Sequence, residues 1–271
     1  MKPLLAQGDE GARPDTSSYK PLRPGMLVRA KDHTHAHPYF TSGVKVQHKG
    51  IQYMTGPTHG IGEYAEGICL PFAGQDRVYS SAELDAADKG NRDSYVFADC
   101  KSDSKQHIPG TDVTMVRLKN PAEYVNTTFE TDEHPEIKLK RLLGPDEVFR
   151  DYQVALDSSF TGRVEGIIVA HHVEAKNMCW SESPLHQQNI DIHATTKMTV
   201  YNWMWHGQDR SPCPPGSCGS PIVTPDGIVT GFYHLSILKE LDGRNWKGFS
   251  MSTSASELSG LREPFELVAD T

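Results

Sequence analysis

The chain has 271 residues, enough for one large or two modest domains. Its 27 basic and 35 acidic residues leave a net charge of −8, which disfavours nonspecific binding to nucleic acid or to anionic membrane. No apolar run approaches the ~20 residues of a membrane span, and the opening MKPLLAQGDEGARPD lacks the apolar core of a secretory signal.

In chain order, residues 1–24 are polar and carry four prolines, as expected of a lead-in arm. From there to residue 120, short apolar runs alternate with turn signals, and GMLVRA, SGVKVQ, GIQYMT, SYVFADC and DVTMVRL are predicted strands. Residues 121–149 are charged and proline-rich, predicting a connection with a helical turn near Ile137 to Leu143. GRVEGIIVAHHV, KMTVYNWMWH, SPIVT, GIVTGFYHLSI and KGFSMS are predicted strands of a second group, placed at 150–245. The remainder, 246–271, ends in LREPFELVADT, which reads as a loose tail. Many short strands and few helical periods predict an all-β fold. Two groups joined by a connection point to two barrels, with one large sandwich as the rival.

The five cysteines, Cys69, Cys100, Cys179, Cys213 and Cys218, are odd in number and include no Cys-x-x-Cys pair. That pattern predicts neither a disulfide framework nor a zinc ribbon, and suits a reducing compartment. Cys218 stands apart. It lies in Gly216-Ser217-Cys218-Gly219-Ser220-Pro221, where flanking glycines let successive backbone N–H groups converge. The N–H groups of Gly216 and Cys218, with Ser217 between them, are the expected oxyanion donors.

A thiol nucleophile needs a base. His59 is the best candidate, because the apolar GIQYMT run enters a Gly-Pro turn just before it. His48, at a hairpin tip, is a weaker one. Asp112 opens the strand DVTMVRL and can accept from the second ring nitrogen and fix the tautomer. Asp99 and Asp103 compete for that place.

The order His59, Asp112, Cys218 resembles that of the chymotrypsin fold, and GSCGSP resembles its GDSGGP turn with cysteine in place of serine. Among cysteine forms, the chain is similar to the chymotrypsin-like (3C-like) main proteases of positive-strand RNA viruses. CGSPIVTPDGIVTGFYH is similar to the matching stretch of potyviral nuclear inclusion proteases, and GSCGS also occurs in nidoviral main proteases. The resemblance covers roughly residues 25–245. It implies two six-stranded antiparallel β-barrels with a cleft between them, the first bringing His59 and Asp112 and the second Cys218. It implies a cysteine endopeptidase that cuts a viral polyprotein after Gln or Glu in host cytoplasm. It places His234 at the bottom of the first specificity (S1) pocket, with Cys213 where a small hydroxyl residue usually stands and Tyr233 as another source of a hydroxyl. No cofactor and no metal is implied, and nothing sets an oligomeric state. Two other readings stay open: a proteolytically silent binding module on the same fold, and a cellular trypsin-like peptidase. A papain-like reading fails on order, since Cys218 lies late in the chain.

Other eye-catching groups have plainer readings. The alternating His33, His35 and His37 are expected on a solvated edge. His171 and His172 are expected on opposite faces of a strand, and Tyr201, Trp203 and Trp205 on one core face. Cys179-Trp180 is read as packing.

Overall fold

The computed structural model describes residues 21–31, 39–62, 65–70, 96–130, 134–176, 195–203, 216–236 and 249–270. The first sheet takes β1 (Leu27–Lys31), β2 (Tyr39–Thr41), β3 (Lys45–His48), β4 (Ile51–Pro57), β5 (Gly67–Cys69), β6 (Val96–Asp99), β7 (Lys105–His107) and β8 (Val113–Leu118), with a one-turn helix α1 (Thr58–Ile61) after β4. The second takes β9 (Arg141–Leu142), β10 (Gln153–Ser158), β11 (Gly162–Lys176), β12 (Thr195–Trp203), β13 (Pro221–Val223), β14 (Ile228–Ser236) and β15 (Phe249–Ser254). A second short helix, α2 (Ser256–Ser259), leads to β16 (Glu266–Leu267), which returns to the first sheet.

The all-β expectation of two barrels holds. In the second sheet, the order β13-β10-β11-β12-β15-β14 closes through a β13–β14 pairing, making a six-stranded barrel, and β9 adds in parallel to β14. The first sheet runs β16-β3-β4-β8-β6-β5-β1-β2 with β7 on β8, and no described pairing closes it. Among the described residues, no helix is long and apolar enough to cross a membrane.

Strand alternation divides the core. Along β8, Val116 and Leu118 join Val28, Phe40, Met54 and Ile68 inside the first sheet. Val113 and Met115 point the other way, into a cluster shared with Leu142, Val223, Val229 and Phe232 of the second barrel. Burying an aliphatic side chain of this size contributes about 1.5–3 kcal/mol. The shared cluster therefore resists separation of the two barrels and holds fixed any site built between them. Val154, Leu156, Ile168, Tyr201, Trp203, Ile222 and Tyr233 fill the second barrel. Tyr201 and Trp203 stack there at 5.4 Å, as their spacing predicts.

Three expectations need correction. The connection carries an extended segment at Ile137 to Leu143 instead of a helical turn. Ile137 and Leu139 alternate into the shared cluster, and the Leu143 N–H donates to the Val229 carbonyl at 2.9 Å. The run is bounded by Pro135 and by Gly144-Pro145, too short for a helix to repay its nucleation.

The C-terminal tail is not loose. β15 completes the second barrel beyond residue 245, Phe265 is buried and stacks on His48 at 4.6 Å, and β16 pairs with β3. Asp270 then accepts from Asn126 N and Thr127 Oγ1, each at 2.8 Å.

His171 and His172 do not sit on opposite faces. A register shift in the β11–β12 pairing and a left-handed φ of 55° at His172 bring the two rings into a 4.4 Å stack. His33, His35, His37, Cys179-Trp180, Trp205 and Cys213 lie outside the described residues.

Candidate active site

β4 ends at Pro57, and the chain turns at once into α1, where His59 sits. Gly60 permits this tight turn, since a Cβ there would lie 3.0 Å from Pro57 Cγ and 3.1 Å from Phe40 Cδ1. The β4–β8 register sets Pro57 opposite Val113, so Thr58 and Asp112 are neighbours just past the paired ends. Thr58 N–H donates to the Asp112 carbonyl at 3.1 Å. His59 N–H donates to Asp112 Oδ1 at 3.1 Å, and His59 Nδ1 lies 2.7 Å from Asp112 Oδ2. One carboxylate thus grips both the backbone and the ring. With Nδ1–H spent on Asp112, His59 Nε2 is the nitrogen left to exchange a proton with Cys218.

Cys218 comes from the second barrel. Gly216 and Gly219 have φ of 94° and 90°, a region where a side chain is strained. Space excludes one as well: a Cβ on Gly216 would lie 2.4 Å from the Phe160 ring, and one on Gly219 would lie 2.6 Å from Pro57 Cδ. Gly219 thereby lets the turn press against the end of β4, beside His59. Cys218 is half-buried, and its thiol lies near enough to the His59 ring to favour the ring's protonated form, as the Asp112 carboxylate does. The turn is pinned from within by Ser220 Oγ donating to the Ser217 carbonyl at 2.7 Å, and by Gly219 N–H donating to the Tyr233 carbonyl at 3.0 Å.

Thr41 of β2 pins it from the other barrel, a contact the sequence did not announce. Its Oγ1 donates to the Gly216 carbonyl at 2.9 Å and its N–H to the Cys218 carbonyl at 3.1 Å. These bonds hold the 216–217 and 218–219 peptides on either side of the 217–218 peptide, which carries the Cys218 N–H and whose own carbonyl accepts from Ser220 Oγ.

Burial works against charge on the His59 ring, but the hydrogen bond to the Asp112 carboxylate and the neighbouring Cys218 sulfur outweigh it and raise its pKa far above 6.5. Asp112 is 8% exposed. Burial favours its neutral form, yet hydrogen bonds from His234 and His59 overcome that and hold it ionised well below the usual carboxylate range.

His234 meets the site from the second barrel. Its ring lies on the acid, with Nδ1 2.7 Å from Asp112 Oδ2. The cause is a bulge: Tyr233 pairs with Ser252 and Leu235 with Met251, leaving His234 as the extra residue of β14. Tyr233 turns into the core of the second barrel, and its hydroxyl lies 2.8 Å from Ser236 Oγ. The competing residues are elsewhere. His48 stacks on Phe265, Asp99 Oδ1 accepts from Lys101 N, and Asp103 Oδ1 accepts from Ser104 Oγ.

His59, Asp112 and His234 offer ligand atoms within 4.8 Å of one another, a composition that could hold a metal. Their 2.7 Å contacts are hydrogen-bond distances. Tetrahedral ligands about 2.0–2.1 Å from zinc stand ~3.3 Å apart, so the spacing here suits shared protons better than a shared ion.

No protein-family model matches the sequence, and no curated protein does. Solved structures do match in fold. A glutamic-acid-specific serine protease that uses a histidine triad in substrate binding aligns with TM-score 0.55 at 10% identity, covering 91% of this chain and all of its own. Thermobifida fusca protease A gives 0.52 at 13% identity, covering 92% of this chain and 99% of its own. Nocardiopsis protease gives 0.51 at 13% identity, with 91% and 98% covered. The fold is that of the chymotrypsin-like proteases.

Proposed function

We propose that the protein is a cysteine endopeptidase. The observation that carries this reading is the His59 ring, hydrogen-bonded through Nδ1 to the buried Asp112 carboxylate and set beside the Cys218 thiol of the Gly216–Gly219 turn. That arrangement can move a proton off sulfur at neutral pH.

His59 Nε2 takes the Cys218 proton as sulfur attacks the scissile carbonyl carbon. The carbonyl π pair moves to oxygen, where the N–H groups of Gly216 and Cys218 stabilise the oxyanion; one such donor lowers a barrier by about 3–4 kcal/mol. The oxyanion collapses, the C–N bond breaks, and the His59 imidazolium protonates the leaving amine. A water, deprotonated by His59, then attacks the thioester and returns the thiol. Asp112 holds the ring in its tautomer and supports its charge.

The finer reading is a viral polyprotein as substrate, cleavage after Gln or Glu, and a host-cytoplasmic setting. It is supported by the similarity of residues 216–234 to viral main proteases and by the odd, scattered cysteines. A fold neighbour that is specific for glutamic acid agrees with an acidic P1 residue. The test is to sequence the new N-termini released from a precursor or a peptide library, with Cys218→Ala as the control. Discrete cuts after Gln or Glu that vanish in Cys218→Ala support the proposal, and cutting that persists in that variant refutes it.

A further inference from the structure

Two imidazoles converge on a single oxygen. His59 Nδ1 and His234 Nδ1 each lie 2.7 Å from Asp112 Oδ2, one arriving from each barrel, with the ring centroids 6.0 Å apart at 63°. The His234 side chain is 5% exposed and that of Asp112 7%. A carboxylate oxygen only accepts, so both rings must present N–H to it. His234 also meets the other end of the site through its backbone, since the Cys218 thiol donates to the His234 carbonyl at 3.1 Å. The bulge at this residue makes the double contact possible, because it separates the direction of the side chain from that of the carbonyl.

We propose that His234 is a positioning residue of the catalytic site: its Nδ1–H fixes the Asp112 carboxylate, and its carbonyl fixes the sulfur. The proposal rests on the cysteine-peptidase reading and gives His234 a different task from the P1 contact that the sequence implied. The reasoning follows from geometry. Asp112 Oδ1 is held by His59 N–H, and Oδ2 would be held by His59 alone without His234. With both His59 contacts coming from one residue, a second donor from the opposite barrel stops the carboxylate from following His59 as its ring moves between sulfur and leaving group. It also ties the spacing of the barrels to the geometry of the base. The His234 ring is faced by Asp112 at the start of β8 and by His59 of α1, while Cys218, before β13, meets the His234 carbonyl. Its Nε2 is buried and has no hydrogen-bond partner among the described residues. The ring's one described side-chain bond is therefore the one to the acid.

The two nitrogens can be tested separately. An Asn side-chain amide reaches about where His Nδ1 lies, and a Gln amide about where Nε2 lies. His234→Asn and His234→Gln are compared for kcat, KM, P1 selectivity and the pH profile of Cys218 alkylation by iodoacetamide. If His234 positions Asp112, Gln lowers kcat on the order of tenfold to a hundredfold with little change in KM. The acid limb of its alkylation profile also moves to higher pH, because Asp112 has lost a donor that favours its charged form. Asn recovers most of both. If Nε2 instead reads the P1 side chain, Gln keeps selectivity, Asn loses it, and the alkylation limb stays put in both; that pattern overturns the proposal. Wild-type behaviour in both variants overturns it as well. Failure of the cysteine-peptidase reading looks different, since wild-type Cys218 would then show no enhanced alkylation at neutral pH and Cys218→Ala would still cut peptide.

Discussion

Thr41→Val removes one oxygen from the contact between β2 and the nucleophile turn while nearly keeping the volume. Thr41 is fully buried, so water does not replace the lost donor. The Thr41 N–H bond to the Cys218 carbonyl survives, and only the 2.9 Å bond from Oγ1 to the Gly216 carbonyl is lost. Leaving a buried acceptor unsatisfied costs about 1–3 kcal/mol. If the 216–217 peptide relieves that cost by rotating, the adjoining 217–218 peptide shifts with it, the Cys218 N–H leaves the oxyanion position, and the cost reappears in the barrier. At about 1.36 kcal/mol per tenfold, kcat should fall roughly 5- to 150-fold. Alkylation of Cys218 by iodoacetamide develops no oxyanion, so its rate should stay within about twofold of wild type. Thr41→Ser keeps the hydroxyl and should recover most of kcat. Equal losses of kcat and alkylation rate in Thr41→Val would show that Thr41 acts on the sulfur and not on the oxyanion donors, and an unchanged kcat would show that the bond is idle.

Other outcomes follow from the same geometry. Asp112→Asn should lower kcat by on the order of 10³–10⁴, because an amide can present N–H to His59 Nδ1 and so favour the wrong tautomer; steady-state kinetics on a cleaved peptide measure this. Gly216→Ala, at φ 94° with Phe160 2.4 Å from the new Cβ, should lower the melting temperature and abolish cleavage together. Phe265→Ala should destabilise by about 3–5 kcal/mol in chemical denaturation, since the tail packs on the first sheet through that ring. Stability should also follow pH in two directions. The Asp112 pKa is lowered, so its contribution is present above its ordinary value of 3.8 and erodes as pH falls below it. The His59 pKa is raised, so its contribution is full below 6.5 and declines as pH rises toward the folded value. Thermal melts should therefore peak between these values, and Asp112→Asn should flatten both limbs.

Much of this arrangement was legible in the chain. The predicted runs around Leu27, Val46, Met54, Val116, Ile168 and Val200 are strands, because period-two burial is written directly in their apolar alternation. His59 and Asp112 could be found because each borders a strong strand, β4 and β8, and a register between two such strands brings their ends together. What stayed hidden depends on single-residue steps. The bulge at His234 turns one ring toward the acid without any glycine to mark it, and the shift near His172 defeats alternation in the same way. Thr41 lies on a three-residue strand, too short to show a period, and its partner carbonyls are some 175 residues away in sequence. The tail and the connection read as polar because the residues that commit them to the core, among them Tyr124, Ile137, Leu139, Leu143, Leu258 and Phe265, are scattered among charged and proline positions.

The most direct measurement is to find the atom that carries the acyl group. A peptidyl-glutamine activated ester, quenched in acid during turnover and mapped by mass spectrometry, should leave one acyl mass on the peptide containing Cys218. The signal should be lost in Cys218→Ala and strongly reduced in His59→Ala. Turnover with the acyl mass on another residue, or turnover that persists in Cys218→Ala, would contradict a sulfur nucleophile served by the His59 ring.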